Sequence, residues 1–323
     1  MEINSDTFQN DILNGIKNEF AKYGKNIDTS IDFGTILLDY TNWRRRFIGP
    51  GYRKVFYSNE LKNNPLYKSN KKFRKTIDKI AYKIKNAESL DPFLSKGIVD
   101  NPNEDGSNKN KDLMLNSFGI HHFHIGNEYE KNSKNGIKFT KRNDEILFAV
   151  IKKDAAYFIN IYEHDFPYNQ NAFEIIHDNW EFLLKDYEIQ GIVGTTECSE
   201  DEIKILTKKH ASTILTIKEK SYMIGRITGS GHSGMWMFEQ QALIDAINHI
   251  DTTIKLQKNQ ILNQLNRALH QNLSSLDIGI IIENGLLYFV EHQTKKTIVF
   301  RDNELIIAND YCIVGSHTFD LNS

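Results

Sequence analysis

Residues 119–126 read Gly-Ile-His-His-Phe-His-Ile-Gly, which places three imidazoles in a short apolar run with a glycine at each end. Successive side chains of a strand point to opposite faces, so His122 and His124 would share one face while His121 lies on the other. Adjacent histidines are costly as core filling, and imidazole titrates near neutral pH. The run therefore predicts a strand of a sheet whose histidines are either metal ligands or an acid and a base near a reacting group.

Length and composition indicate a globular protein with more than one domain. The chain has 323 residues, of which 40% are hydrophobic and 25% charged, whereas a domain typically has about 100–200 residues. No apolar run approaches the roughly 18 residues of a membrane span, and the polar start lacks a signal-peptide pattern, so we expect a cytoplasmic protein with no membrane partner. The two cysteines, Cys198 and Cys312, form no C-x-x-C motif, which argues against a disulfide framework or a zinc ribbon.

Charge is distributed unevenly along the chain. Residues 41–86 contain 14 Lys and Arg against two acidic residues, a balance of +12, although the whole chain has a formal net charge of −2. Aromatic residues are interleaved with these cations, which is typical of a surface that contacts phosphates and stacks on bases. The candidate nucleic-acid contacts are Arg44, Arg45, Arg46, Arg53, Lys54, Lys71, Lys72 and Arg74. The same pattern also fits a solvated helix face that docks on the acidic remainder of the protein.

The hydrophobic periodicity predicts an α+β protein that begins with a helical domain. Apolar residues recur at helical spacing over 8–23 and 71–84, so residues 1–100 are expected to form a basic, mostly helical region. Residues 101–111 contain no apolar side chain and are rich in Asn, Gly, Ser and charge. We expect them to be a linker or a mobile loop.

The rest of the chain is expected to form two further domains. In the first, residues 112–190, Asp112 is placed to cap a short helix, and the histidine strand is followed by antiparallel strands over 138–152 and 155–162. This range predicts a small antiparallel-sheet domain. Residues 191–323 predict a C-terminal α+β domain with a capped helix, a hairpin, long helices and a meander of short strands.

Three strand-like segments follow one another between residues 113 and 166. They read Gly-Ile-x-x-Phe-His-Ile from Gly119, Arg-Asn-Asp-Glu-Ile-Leu-Phe-Ala-Val-Ile from Arg142, and Tyr-Phe-Ile-Asn-Ile-Tyr-x-His ending at His164. This series resembles the central sheet of RelE-like and barnase-EndoU-colicin-type ribonuclease toxins. The resemblance implies a concave face with an arginine opening one strand and a histidine ending the next. It also implies RNA as the substrate and an antitoxin or other protein as the regulatory partner.

RNA cleavage by the 2′-hydroxyl explains why these residue types would be needed. The reaction requires a base for the hydroxyl, an acid for the leaving 5′-oxygen and a cation for the charge on phosphorus. His122 and His124 are candidates for base and acid, with Arg142 or His164 stabilising the charge. His164 also fits a surface turn. The glycine-rich loop over 229–234 adds His232 as a further candidate imidazole, or is an ordinary connection.

Two other functions use the same residues differently. A His-x-His strand pair suits a divalent transition metal such as zinc, with a third ligand from His164, Asp165 or Glu128. A non-catalytic nucleic-acid-binding or assembly subunit would explain the basic region without the histidines. Our preferred hypothesis is a metal-independent endoribonuclease that needs no cofactor. It would be toxin-like and would act in a toxin-antitoxin or phage-defence setting.

Overall fold

The chain folds into two compact units in a computed structural model. One unit contains Met1–Arg44 and Trp236–Asn322, and the other contains Arg45–Met235. The structure describes residues 5–28, 30–49, 51–99, 112–163, 170–191, 199–225, 228–229, 232–301, 304–308 and 319–320. Each unit combines helices with at least one sheet, so the α+β class is confirmed.

The described residues form ten α-helices and twelve β-strands. The helices are α1 (Asp6–Lys22), α2 (Phe33–Arg44), α3 (Asn59–Asn63), α4 (Pro65–Ser69), α5 (Lys71–Lys85), α6 (Leu113–Phe118), α7 (Gln170–Trp180), α8 (Glu200–Lys208), α9 (Gly234–Leu256) and α10 (Lys258–Leu269). The strands are β1 (Lys54–Tyr57), β2 (His121–His124), β3 (Glu145–Ile151), β4 (Ala155–Glu163), β5 (Glu188–Ile189), β6 (Thr213–Ile217), β7 (Lys220–Ile224), β8 (Ile278–Glu283), β9 (Leu286–Glu291), β10 (Lys296–Arg301), β11 (Glu304–Ala308) and β12 (Phe319–Asp320). Among the described helices, none has the length and apolar character to cross a membrane.

In the first unit, helix α1 packs against an antiparallel sheet made by the C-terminal strands. Strands β8, β10 and β12 all pair with β9, and β11 pairs with β10. The Asp11 carboxylate accepts a hydrogen bond of 2.9 Å from the Ile280 amide, and a Cβ on Gly15 would lie 2.9 Å from the Ile282 side chain. The predicted ranges 1–100 and 191–323 therefore differ from the observed units, because periodicity shows an element's apolar face but not its partner.

The main sheet of the second unit has the strand order β1-β4-β3-β2. The predicted antiparallel strands appear as β3 and β4, and β2 pairs antiparallel with β3. Strand β1 pairs parallel with β4, so the sheet is mixed rather than purely antiparallel. The sequence places residues 54–57 in the helical region, whereas the structure places them in a strand. A strand of only four residues with half-exposed side chains shows too little alternation to be recognised from sequence.

A second small sheet, β5-β7-β6, shares its core with the histidine-bearing sheet. Side chains from both sheets and from α6, α7 and α8 form one apolar cluster that includes Phe118, Phe148, Ile176, Leu215 and Tyr222. The predicted boundary at residue 190 therefore lies inside this unit, between β5 and its pairing partner β7. The capping box expected at Ser199 is present at the start of α8.

The chain after β2 passes very close to the segment that leads into β3. Gly126 is buried, and a Cβ at this position would lie 1.9 Å from the Lys141 carbonyl oxygen and 3.0 Å from its carbon. Only glycine permits this approach of two backbones. The approach holds the end of the histidine strand against the segment that contains Arg142.

We expect Gly126→Ala to destabilise the protein by roughly 2 kcal/mol or more, because the added methyl group forces the two segments apart. Urea unfolding of the variant and the wild type measures this difference. Gly229→Ala is the matched control, since a Cβ there has no neighbour within 4 Å. Equal destabilisation by both substitutions would contradict a specific backbone contact at Gly126.

Candidate active site

The histidine strand β2 lies at one edge of its sheet and shows the predicted alternation. His122 pairs with Phe148 and His124 with Ile146, and both partners belong to the apolar cluster. Cross-strand partners share a face, so both histidines point to the side of the sheet that carries this cluster. His121 lies on the opposite face, where its ring stacks on Phe123 at a centroid separation of 6.4 Å.

Asp112 and His122 form an ion pair at the start of helix α6. One Asp112 oxygen accepts a hydrogen bond of 3.0 Å from the Leu115 amide and so caps the helix. The other oxygen lies 3.3 Å from Nδ1 of His122. Gly119, with a φ of 65°, ends the helix in the left-handed region and turns the chain back, which brings β2 alongside its own helix cap.

The environment of this pair favours the charged form of both partners. Burial alone would lower the pKa of His122, but the charge and hydrogen bond of Asp112 raise it above its ordinary value. Burial alone would raise the pKa of Asp112, but His122, the Leu115 amide and Arg46 hold it well below its usual range. The pair therefore favours an imidazolium facing a carboxylate over two neutral partners.

Arg46 supplies a buried positive charge to the same site. Its side chain is 7% exposed, and a Cβ on Gly97 would lie 3.1 Å from Nη1 of Arg46. Burial lowers the pKa of Arg46, whereas the Asp112 carboxylate raises it. Among the described residues, Nε of Arg46 has no hydrogen-bond acceptor. Sequence patterning marks Arg46 only as one cation in a run of three and does not show that it acts on Asp112 and His122.

His124 and Arg142 take different positions beside His122. The His124 ring is 2% exposed and contacts the His122 ring edge to face, with the centroids 5.8 Å apart. This is the separation of rings in contact, so a phosphate does not fit between them. Arg142 is exposed on the segment before β3, and its charge acts on His122. The structure thus brings His122, His124 and Arg142 together, but as a packed pair with a cation beside it.

The other candidate catalytic and metal-binding residues are only partly described. His164 and Asp165 lie outside the described residues. His232 is buried, and its backbone exchanges hydrogen bonds with Thr228 just before α9. Glu128 is exposed and pairs with Lys141. The described part of the chain contains no group of three His, Cys, Asp or Glu that could hold a metal ion, so the metal hypothesis, which includes His164, stays a prediction.

The candidate nucleic-acid contacts divide into buried and exposed residues. Arg44 is 5% exposed and donates a hydrogen bond of 2.7 Å to the Asn284 carbonyl. A phosphate contact by Arg44 stays a prediction. Arg46 is also buried, and its charge interacts with that of Asp112. Its predicted contact with nucleic acid likewise stays a prediction. Arg53 is partly exposed, and its guanidinium donates to the carbonyls of Lys152, Gly49 and Gly51.

The remaining candidates are accessible to a partner. Arg45 is half-buried, and Lys54 is exposed on the edge strand β1. Lys71, Lys72 and Arg74 are exposed on α5, whose apolar side packs through Ile77, Ile80 and Ile84 among other residues. A helix with this division presents a basic face on its solvent side.

Comparison of the chain with protein-family models, with curated proteins and with solved structures finds no match. The resemblance to ribonuclease toxins therefore stays a prediction, and the function must be inferred from the residues of the site itself.

We expect Asp112→Asn to lower the pKa of His122, because the amide can still cap α6 but removes the charge that opposes burial. Histidine ring resonances followed by NMR titration measure this pKa. Asp178→Asn is the control, since its carboxylate lies 3.3 Å from a different imidazole, that of His177. An unchanged titration of His122 in Asp112→Asn would contradict the ion pair.

His121 makes stability depend on pH below neutrality. Burial lowers its pKa to about 4 from an ordinary value of 6.5, against the opposing effect of Asp112. The unfolded chain therefore takes up a proton first as the pH falls. The stabilising contribution of the neutral ring is present above pH 6.5 and is lost between 6.5 and 4.

The change His121→Phe keeps a ring on Phe123 and removes the titration. We expect the wild type to lose about 2 to 3 kcal/mol more unfolding free energy than this variant between neutral pH and pH 4. Urea unfolding at both pH values measures the difference. Parallel losses in the two proteins would show that His121 is not the titrating group.

Proposed function

We propose that the protein is a metal-independent endoribonuclease in which His122 transfers the proton. The observation that supports this most is the charge composition of the site. The groups whose charges act on His122 are Asp112, Arg46 and Arg142. With the imidazolium, they sum to three positive charges against one negative charge. A site with an excess of cations beside a titratable imidazole suits a phosphodiester.

The Asp112–His122 pair defines which nitrogen acts. Because Nδ1 faces the carboxylate, Nε2 is the atom that exchanges a proton with the substrate, as in other carboxylate-oriented histidines. The Asp112 carboxylate raises the pKa of His122 and so favours its protonated form. His122 therefore serves as the general acid for the leaving group.

The reaction breaks one phosphorus–oxygen bond and forms another. The 2′-hydroxyl oxygen attacks phosphorus and its proton passes to water, while the bond to the 5′-oxygen breaks and that oxygen takes the Nε2 proton of His122. The products are a 2′,3′-cyclic phosphate and a 5′-hydroxyl end. Arg142, which is exposed, binds the non-bridging oxygens, and Arg46 stabilises the developing charge from the buried side. His124 positions the His122 ring by contact.

The basic face of α5 would hold the RNA backbone. Lys71, Lys72 and Arg74 are exposed there, and counterion release from such contacts gives affinity that does not depend on sequence. The toxin-like setting and a regulatory antitoxin follow from the resemblance and belong to the same proposal. A divalent metal at His122 and His124 is the alternative that a chelator distinguishes.

A second candidate function is a non-catalytic RNA-binding subunit. It is favoured by the limited access to the ion pair, since the side chains of His122 and Asp112 are only 16% and 14% exposed. In this case the basic face of α5 would carry the whole interaction with RNA.

The test incubates purified wild type, His122→Gln and Asp112→Asn with total RNA, with and without EDTA. We expect the wild type to cleave RNA in EDTA, and His122→Gln to lower the rate by at least about a hundredfold with nearly unchanged RNA affinity. The rate should fall as the pH rises through the pKa of His122, because the acid form is lost. His177→Gln, which alters another histidine beside a carboxylate, should cleave like the wild type.

Three results would contradict the proposal. Cleavage lost in EDTA would assign the histidines to a metal. Binding of RNA without cleavage by the wild type would favour the non-catalytic subunit. Full activity in His122→Gln would remove this histidine from the chemistry.

A further inference from the structure

Four aromatic rings form an exposed cluster in the second unit, here called the aromatic shelf: Phe56, Tyr157, Trp180 and Phe182. Tyr157 is its centre and is 9% exposed. The Phe56 ring stacks on it with centroids 5.3 Å apart and planes inclined by 14°. Trp180 and Phe182 contact Tyr157 edge to face, at 5.1 Å and 5.7 Å.

The two outer rings of the aromatic shelf remain exposed to solvent in the folded protein. Phe56 is 41% exposed and Phe182 is 62% exposed. Rings left in water lose the free energy that burial would provide, and contiguous exposed apolar surface often marks a binding site. The inner rings, Tyr157 and Trp180, pack on the apolar cluster beneath, so the shelf has a rigid base.

Backbone pairing holds the rings in place before any partner binds. Phe56 lies on β1 directly opposite Tyr157 on β4. Trp180 ends α7, and Phe182 follows in the 3₁₀ turn Glu181–Tyr187. Aromatic side chains fixed in this way lose little conformational entropy when they bind a planar ligand.

Lysines lie at the end of the aromatic shelf beside Phe56, whereas Glu181, between Trp180 and Phe182, is paired with Lys220. Lys54 is two residues before Phe56, and its amide donates a hydrogen bond to the carbonyl of Asp154 in the turn between β3 and β4. That turn also contains Lys152 and Lys153, and all three lysines are exposed. One carboxylate, that of Asp154, is exposed among these cations.

We propose that the aromatic shelf binds single-stranded RNA by stacking on its unpaired bases, while Lys54, Lys152 and Lys153 contact the phosphates. Exposed aromatic rings with cations beside them match the alternation of bases and phosphates along a single strand. A duplex keeps its bases stacked on each other and offers no free face. An apolar peptide would occupy the rings without needing three cations. The inference names the substrate class of the proposed ribonuclease and rests on that function, but binding is measurable without cleavage.

The test measures binding of a 2′-O-methyl oligoadenylate of about 12 nucleotides, which lacks the attacking hydroxyl and so stays intact. We expect Phe56→Ala and Phe182→Ala each to weaken binding by about tenfold. Phe238→Ala is the matched control, since this phenylalanine is 76% exposed on α9 and should leave the affinity unchanged. A duplex of the same length should bind equally to wild type and variants.

Two further measurements separate stacking from charge. RNA should quench tryptophan emission in the wild type, and most of that change should be absent in Trp180→Phe. Replacing Lys54 and Lys152 by Gln should reduce the slope of log affinity against log salt by about 0.7 per lysine, whereas the Phe→Ala variants should keep the wild-type slope.

The outcomes distinguish this inference from the proposed function. Wild-type affinity in both Phe→Ala variants overturns the aromatic shelf as an RNA site, even if RNA is cleaved at His122. Weakened binding in those variants supports it, even if no RNA is cleaved. Sedimentation as a dimer that Phe56→Ala converts to a monomer, with unchanged RNA affinity, would assign the shelf to self-association and overturn the proposal.

Discussion

The organisation of the candidate site depends on the partly buried ion pair between Asp112 and His122. Burying two opposite charges costs desolvation free energy, which only good geometry and additional hydrogen bonds offset. Here the additional bond comes from the Leu115 amide, because the same carboxylate caps α6. The left-handed Gly119 makes this double use possible, since it returns the strand to the helix start.

Two adjacent histidines of β2 acquire opposite electrostatic character because the strand sends them to opposite faces. His121 stacks on Phe123 and its pKa is lowered by burial. For His122, the Asp112 carboxylate more than compensates the burial and the pKa is raised. Environments that separate the pKa values of neighbouring groups are a common feature of acid–base sites. In this protein the separation comes from the helix-capping carboxylate on one side of the strand.

The basic N-terminal segment serves three distinct purposes that composition alone treats as one. Arg44 donates to a backbone carbonyl within the first unit, and Arg46 contributes a buried charge beside the ion pair. The cations of α5 remain on the surface, as do Lys54 and the lysines of the β3–β4 turn. Burial therefore divides the cations into those that stabilise the protein and those that a polyanion can reach, which a count of charges does not show.

The sequence by itself determined the local elements, because these depend on spacing within a few residues. They are the helices α1 and α5, the alternation of β2, the helix cap at Asp112 and the capping box at Ser199. Only the tertiary structure decided that β1 joins the sheet, that α1 packs on the C-terminal strands, and that Asp112 meets His122 ten positions away. The physical reason is that periodicity and caps report the state of one segment. Partners distant in sequence are selected by shape, burial and charge, which exist only once the chain has folded.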